Sequence, residues 1–376
     1  MVTSLESPIL IETAPALKHL AEMLSKEPRL AVDTEANSLH AFQERVCLIQ
    51  FSTPQTDYLV DPLALDDLTY LAPLFSDPQI EIIFHAAEYD VLGLQRDFDF
   101  SFSNIFDTMQ AARILGYKQV GLGSLLADKF KVEVDKRHQK ADWGFRPLTP
   151  PQIDYARLDT HYLIDLRNIL EKELHEKQLW DLAVEDFQRA CFVNHNGSAR
   201  ASRAAWERIE GRQDLTHRQL TILKELCHNR EKAAARMDRP VFKVMDDRIL
   251  LKIAQTEPRS MDQLMAAGLS ERQFQRFGRS ILDAVERGQN APLARATEVE
   301  RMPEAALNRL QKLKVWRKKK AEELGVESDV VLPKVYMQAL AEQNPRSLAA
   351  REKVMESSPW RLSNYGADLA AALGIK

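Results

Sequence analysis

The hydrophobic pattern changes period once along this chain, and the change divides it into regions with different folding requirements. Up to about residue 190, short β-rich runs alternate with helical stretches; beyond about residue 213, apolar residues recur only at helical spacing. Residues 29–35 (RLAVDTE), 46–52 (VCLIQFS) and 57–61 (DYLVD) are bounded by turn formers and lie close enough for an antiparallel meander. Residues 80–84 (IEIIF) read as a buried strand of the same sheet. Helical patterns follow over 86–97, 104–115 and 122–131. A long helix is expected from Thr149 to about Lys177, with Thr149 as its cap and Pro150 and Pro151 in its first turn, where no intrahelical donor is lost. Strands, a crossover and flanking helices make an α/β sandwich.

At 376 residues the chain exceeds one ordinary core and implies two or three domains. From 192 to 213 the composition shifts to Asn, His, Gly, Ser and Arg, which marks a linker. The expected division is an α/β domain over 1–190, a linker over 191–213, and all-helical modules over 214–292 and 293–376. Pro240, Pro258 and Pro292 punctuate the first module, and Pro333 and Pro345 the second. They are similar in length, without a strict repeat.

The formal net charge of −4 conceals an asymmetry. Residues 1–190 hold 18 Lys and Arg against 31 Asp and Glu, whereas the remainder holds 33 against 24. An acidic region suits metal ions and a basic one suits a polyanion; drift of surface charge between domains is the ordinary alternative. Cys47, Cys191 and Cys227 are scattered and lack C-x-x-C spacing, which argues against a disulfide framework or a zinc finger and for a reducing compartment. No apolar run approaches a bilayer's thickness, and the first ten residues lack the basic start of a secretory signal, so the cytoplasm is the expected location.

Three acidic motifs stand in order along the α/β region. Asp33-Thr34-Glu35 ends the first long strand, and residues two apart on a strand share a face. Asp90 lies just past the buried strand, in the first turns of a helix. Tyr155 and Asp159 are four apart on the long helix, one turn above each other. Taken singly, each has an ordinary reading: a solvated strand end, an acid compensating a helix dipole, a tyrosine above a surface acid.

As an ordered set, D-x-E, Asp and Y-x-x-x-D resemble the tyrosine subclass of the DEDD exonucleases. Val32-Asp33-Thr34-Glu35, Leu48-Ile49-Gln50, His85-Ala86-Ala87-Glu88-Tyr89-Asp90 and Phe106-Asp107-Thr108 are similar to ribonuclease D. So are Asp142-Trp143-Gly144-Phe145-Arg146-Pro147-Leu148 and Tyr155-Ala156-Arg157-Leu158-Asp159-Thr160-His161-Tyr162-Leu163. The likeness covers residues 8–190 and implies a ribonuclease H-like core, a mixed sheet flanked by helices, followed by all-α modules. It further implies that Asp33, Glu35, Asp90 and Asp159 hold two divalent ions, Mg²⁺ or Mn²⁺. Carboxylates without a Cys or His cluster suit such hard cations, which clamp the attacking and leaving oxygens of a phosphodiester. A phenol with pKa near 10 is a poor base at neutral pH, so Tyr155 is expected to orient the attacking water.

Other polar residues receive lesser roles. His161, two residues past Asp159, is expected on another side of the helix in a structural role. His85, at the strand end beside Asp90, is a candidate substrate contact. Asp107 and Asp61 read as helix or turn residues, not ligands. Residues 214–290, with Leu220, Leu223 and Leu226 at helical spacing, resemble the HRDC domain, and 293–376 would be a diverged second copy. There the run 312–320 (KLKVWRKKK) mixes cations with a ring, making Lys314, Trp316 and Arg317 candidate nucleic-acid contacts, although such a face also occurs merely solvated.

The resemblance implies a 3′→5′ exoribonuclease that releases nucleoside 5′-monophosphates from tRNA precursors or other structured RNA. A DNA exonuclease with the same carboxylates is the alternative, as is a nucleic-acid-binding or assembly factor acting through the basic helical half.

Overall fold

Three apolar residues in succession, Leu30, Ala31 and Val32, are fully buried and run through the interior of a six-stranded mixed sheet. The computed structural model describes residues 6–192, 204–295 and 302–375. The first five residues, residues 193–203 of the expected linker and residues 296–301 of the second expected module lie outside the described residues, as does the last residue. The strands are β1 (Ile9–Ile11), β2 (Arg29–Ala36), β3 (Val46–Ser52), β4 (Asp57–Val60), β5 (Glu81–Phe84) and β6 (Ile105–Asp107), in the order β1-β4-β3-β2-β5-β6. β3 and β4 pair antiparallel, with Ile49 opposite Val60. β1 runs parallel to β4, β5 to β2, and β6 to β5. Every residue of β3 and β4 is buried, the polar Gln50, Ser52 and Asp57 among them.

The sheet is therefore larger than the meander expected from sequence. β1 and β6 have three residues each, too few for any period to emerge. Ile105–Asp107 was expected as the start of a helix over 104–115. It is a strand because Ile105 and Phe106 pair with Ile82 and Ile83 of β5 and bury their side chains.

Helices cover the sheet: α1 (Ala14–Leu24), α2 (Ala72–Ser76), α3 (Glu88–Phe98), α4 (Thr108–Ile114), α5 (Leu122–Phe130), α6 (Pro150–His161), α7 (Leu163–Glu176) and α8 (Trp180–Cys191). The expected long helix over 149–177 is broken at Tyr162, which ends α6 and precedes α7. Each half obeys a different surface. α6 packs on β3 and β4, whereas α7 packs on α4 and β5. Thr149 and Gln152 form a capping box at the start of α6, with the prolines in its first turn as expected.

The described residues fall into two compact units that do not follow chain order. One comprises the described parts of Met1–Glu35, Val46–Val193 and Glu300–Lys376; the other comprises those of Ala36–Arg45 and Asn194–Val299. The second unit is helical: α9 (His217–Met237), α10 (Val241–Val244), α11 (Asp247–Thr256), α12 (Met261–Met265) and α13 (Glu271–Asn290). Leu220, Leu223 and Leu226 are all buried there, as their spacing predicts. Gly288 lets α13 approach α9 closely, because a Cβ at that position would lie 2.6 Å from Ile222 Cα.

Within the first unit, the C-terminal residues form α14 (Glu304–Leu324), α15 (Ser328–Val331), α16 (Lys334–Gln343), α17 (Leu348–Val354) and α18 (Pro359–Leu373). Helices of 21, 4 and 10 residues open this set and also open the set from α9 to α11. The two modules thus share an order of helix lengths, as expected of a second, diverged copy.

α18 is tied to α8 by buried charge. Arg361, fully buried, donates to both oxygens of Asp186 at 2.8 and 2.9 Å, to the Val330 carbonyl at 2.8 Å, and to Glu185. Glu185 also accepts the Trp360 and Arg361 amides at 2.8 and 3.2 Å and the Ser358 hydroxyl at 2.5 Å. A carboxylate of one helix therefore caps the N-terminus of the other.

Candidate active site

The alternation of β2 places Asp33 and Glu35 on one face, and Thr34 between them reaches α3. Asp90, in the first turn of α3, accepts the Thr34 amide at 3.0 Å and the Thr34 hydroxyl at 2.6 Å, both through Oδ1. Asp159 comes from α6. Carboxylate oxygens of Asp33, Glu35 and Asp159 lie within 4.8 Å of one another. Asp90 lies outside that tightest group but adds its charge to the same field, raising the proton affinity of Asp33, Glu35 and Asp159.

The electrostatic cost of this arrangement is large. Asp33 is pushed well above the usual carboxylate range by burial, then by the charges of Asp90, Asp159 and Glu35. Burial, Asp159 and Asp90 raise Glu35 to about 9. Burial lifts Asp159 to about 7 against a lowering hydrogen bond from Tyr155, with Asp90 adding repulsion. Asp90 is also raised to about 7 by burial, despite its hydrogen bonds from Thr34. Anions gathered in this way need an external cation, and an all-carboxylate donor set has the chemistry of a hard divalent ion.

Tyr155 is buried beneath this cluster with Trp143 6.0 Å and His138 6.4 Å from its ring. Burial and the charges of Asp159, Glu35 and Asp33 drive its hydroxyl pKa up. It keeps its proton, which it donates to Asp159, and its oxygen can still accept a hydrogen bond. The wall behind it is built by the motif around Trp143. Arg146 grips Asp61 at 2.5 and 2.9 Å, the Cys47 carbonyl at 2.7 Å and the Trp143 carbonyl at 2.7 Å. In the sequence, residues 142–148 carry a family likeness without an evident task.

Asp107 has a definite structural role. It caps α4 through the Met109 and Gln110 amides and also accepts the Ala86 and Ala87 amides at 3.1 and 2.9 Å. Ala86 has φ 69°, a left-handed conformation that disfavours a Cβ, so Asp107 holds strained backbone directly ahead of α3 and Asp90. Asp107→Ala is expected to cost about 2 kcal/mol in urea unfolding, from the lost cap and orphaned amides. Activity should fall with it, through displaced Asp90.

His85 stands at the end of β5 with Nδ1 2.9 Å from the Thr108 hydroxyl, which itself donates to the Phe84 carbonyl at 3.0 Å. The hydroxyl proton is thereby used, so Nδ1–H is the donor and Nε2 remains an acceptor. Burial lowers its pKa to about 4, leaving the ring neutral at neutral pH. His161 pairs with Asp57 at 2.8 Å, away from the cluster. The structure does not bring Lys314, Trp316 and Arg317 together on one surface. Arg317 donates to the Leu332 carbonyl at 3.0 Å, Trp316 packs edge-on against Tyr365, and Lys314 is exposed.

No helix among the described residues is long and apolar enough to cross a membrane. The 3′-5′ exonuclease family matches residues 8–175, and the HRDC domain family matches 219–285 and 306–373. Protein RRP6-like 3 of Arabidopsis thaliana is 33% identical over 282 residues, covering 69% of this chain. The chain spans only 32% of that relative's length. Ribonuclease D of Gluconacetobacter diazotrophicus is 31% identical over 385 residues, covering 97% of this chain and 92% of its own. Among solved structures, Escherichia coli RNase D shares the fold with a TM-score of 0.73, at 23% identity, over 98% of this chain and 99% of its own. A likeness that runs nearly the full length of both chains, with an exonuclease region followed by two HRDC regions, shows that this chain belongs to the ribonuclease D family.

Proposed function

We propose that the chain hydrolyses RNA from the 3′ end, one nucleotide at a time, releasing nucleoside 5′-monophosphates. The observation that carries the reading is the convergence of Asp33, Glu35, Asp90 and Asp159 from β2, α3 and α6 with proton affinities all raised. These four residues would hold two divalent ions, Mg²⁺ or Mn²⁺. When bound, such a pair activates the attacking water and offsets charge on the leaving oxygen.

The remaining work falls to the chain's own groups. Thr34 fixes Asp90 Oδ1 and leaves its second oxygen for the site. Tyr155, a retained phenol whose proton goes to Asp159, would accept a hydrogen bond from the attacking water and so orient it, and Trp143 and Arg146 keep its ring in place. Tyr155→Phe is accordingly expected to lower kcat roughly a hundredfold with little change in KM. The alkaline side of the pH–rate profile should stay unchanged, because the phenol does not titrate there. Steady-state kinetics on a short RNA reads both. Loss of an alkaline limb in the variant would instead mark Tyr155 as a base.

Family membership extends the reading to structured RNA such as tRNA precursors, in the cytoplasm. The test uses RNA labelled at either end, with Mg²⁺, Mn²⁺ or a chelator. Stepwise loss of the 3′ label as mononucleotide, abolished by chelator, is the expected outcome; internal fragments would reject the reading. DNA of the same sequence, run in parallel, decides between ribonuclease and deoxyribonuclease.

A further inference from the structure

Asp159 must meet Asp33 and Glu35 across an element boundary, because it rides on α6 while they stand on β2. Its hydrogen bond from Tyr155 comes from one turn back on the same helix, so that bond ties nothing to the sheet. The seat of α6 on β3 and β4 therefore decides where the Asp159 carboxylate lies. The next residue makes that seat: Thr160 is fully buried, and its hydroxyl lies 2.7 Å from the hydroxyl of Ser52, itself fully buried at the end of β3. Ser52 stands opposite Asp57 of β4 in the register and donates to its Oδ1 at 2.6 Å. Oδ2 of the same carboxylate takes His161 Nδ1 at 2.8 Å.

The donors of this network run in one direction. A carboxylate only accepts, so Ser52 and His161 both donate to Asp57. The Ser52 hydroxyl then has only acceptor capacity left, and Thr160 must be the donor to it. The Arg157 carbonyl, 3.4 Å from the Thr160 hydroxyl, is the longer and weaker acceptor. Two consecutive residues of α6 are thus fastened to one corner of the β3–β4 hairpin through opposite oxygens of one carboxylate. That arrangement fixes the rotation of the helix as well as its height. Apolar packing resists separation but is non-directional and tolerates sliding, whereas buried hydrogen bonds of this length do not.

We propose that Thr160, Ser52, Asp57 and His161 are positioning residues for the reaction, setting the Asp159 carboxylate against Asp33 and Glu35. The proposal rests on the reading of these carboxylates as the divalent-metal site of a hydrolase. The test compares Thr160→Val, which removes the hydroxyl at nearly constant shape, with Thr160→Ser, which keeps it. Thr160→Val should weaken Mn²⁺ binding to the full chain, read by calorimetric titration, and lower kcat on a short RNA, each roughly tenfold, with KM within about twofold. Thr160→Ser should stay within about twofold of wild type in all three. Ser52→Ala, which cuts the network at its middle without touching α6, should repeat the Thr160→Val result and serves in its place if that variant does not fold. A role confined to folding would leave Mn²⁺ affinity and kcat of the folded variants at wild-type values, and that result would overturn the proposal. So would a Thr160→Ser variant as impaired as Thr160→Val, which would make the methyl group and not the hydroxyl the determinant. If the wild-type chain binds Mn²⁺ but degrades no RNA, the exoribonuclease reading fails, whereas the Mn²⁺ affinities still decide the network.

Discussion

Replacing Asp33 by asparagine is expected to lower RNA hydrolysis by roughly a thousandfold or more while raising the thermal midpoint of the metal-free protein. Both effects have one cause. Asp33 takes the largest number of repulsive contributions in the cluster, from Asp90, Asp159 and Glu35, and it is also the proposed ligand on β2 nearest the core. Removing its charge relieves the other three acids and deprives a cation of a donor. The sign in pH follows from linkage. A carboxylate whose folded pKa lies above its unfolded value holds more protons in the folded state, so stability falls as pH rises past the unfolded value. For Glu35 that window runs from 4.5 to about 9.

Metal-free wild type should therefore melt lower at pH 8 than at pH 5, and Asp33→Asn should show a smaller decline. Each kcal/mol corresponds to about 2–4 °C for a unit of this size. Mg²⁺ should restore the wild type more than the variant. Scanning calorimetry at both pH values, with and without Mg²⁺, reads all of this. An Asp33→Asn variant that melts below wild type in chelator at pH 8 would show that the repulsion is not there.

The second large effect lies far from the carboxylates. Arg361→Ala is expected to cost about 3–5 kcal/mol, because it strands Glu185 and Asp186 in the interior with most of their compensation removed. Arg189 still reaches Asp186 at 2.7 Å, but Glu185 keeps only the Ser358 hydroxyl and the α18 amides. Arg361→Met combined with Glu185→Gln should recover much of the loss, since a buried pair replaced by apolar and neutral groups is often tolerated. The loss should also reach activity. α8 carries Phe187, whose ring lies 4.5 Å from Phe106 of β6, and the next residue is Asp107, the fastener of the loop before Asp90. Urea unfolding and kcat of the two variants test this. A single Arg361→Ala variant as stable as wild type would mean that the C-terminal module is dispensable to the nuclease unit.

Legibility from sequence followed the range of the interactions involved. Asp33 and Glu35 were readable because strand alternation is a local rule, and the α6 pair because helical spacing is one. β6 was not, since three residues become a strand only through Ile82 and Ile83, more than twenty positions away. The break at Tyr162 was hidden for a similar reason: both halves of 149–177 have good helical pattern, and the surfaces they must follow differ. The surroundings of Trp316 and Arg317 were not readable from sequence, because their partners, Tyr365 and the Leu332 carbonyl, lie outside their own helix. Nothing local in Glu185, Asp186 or Arg361 announced that residues 300–376 would share a compact unit with the α/β core. The convergence of the four acids rested on the resemblance, and the Thr34–Asp90 hydrogen bonds supply its physical reason.

Asp33, Glu35, Asp90 and Asp159 are proposed to form a divalent-metal site. The most direct measurement is an anomalous difference map from crystals grown with Mn²⁺ at neutral pH. The expected result is strong density among these four carboxylates, absent in crystals of Asp33→Asn. Well-ordered side chains with no density between them, or density only elsewhere on the chain, would contradict it.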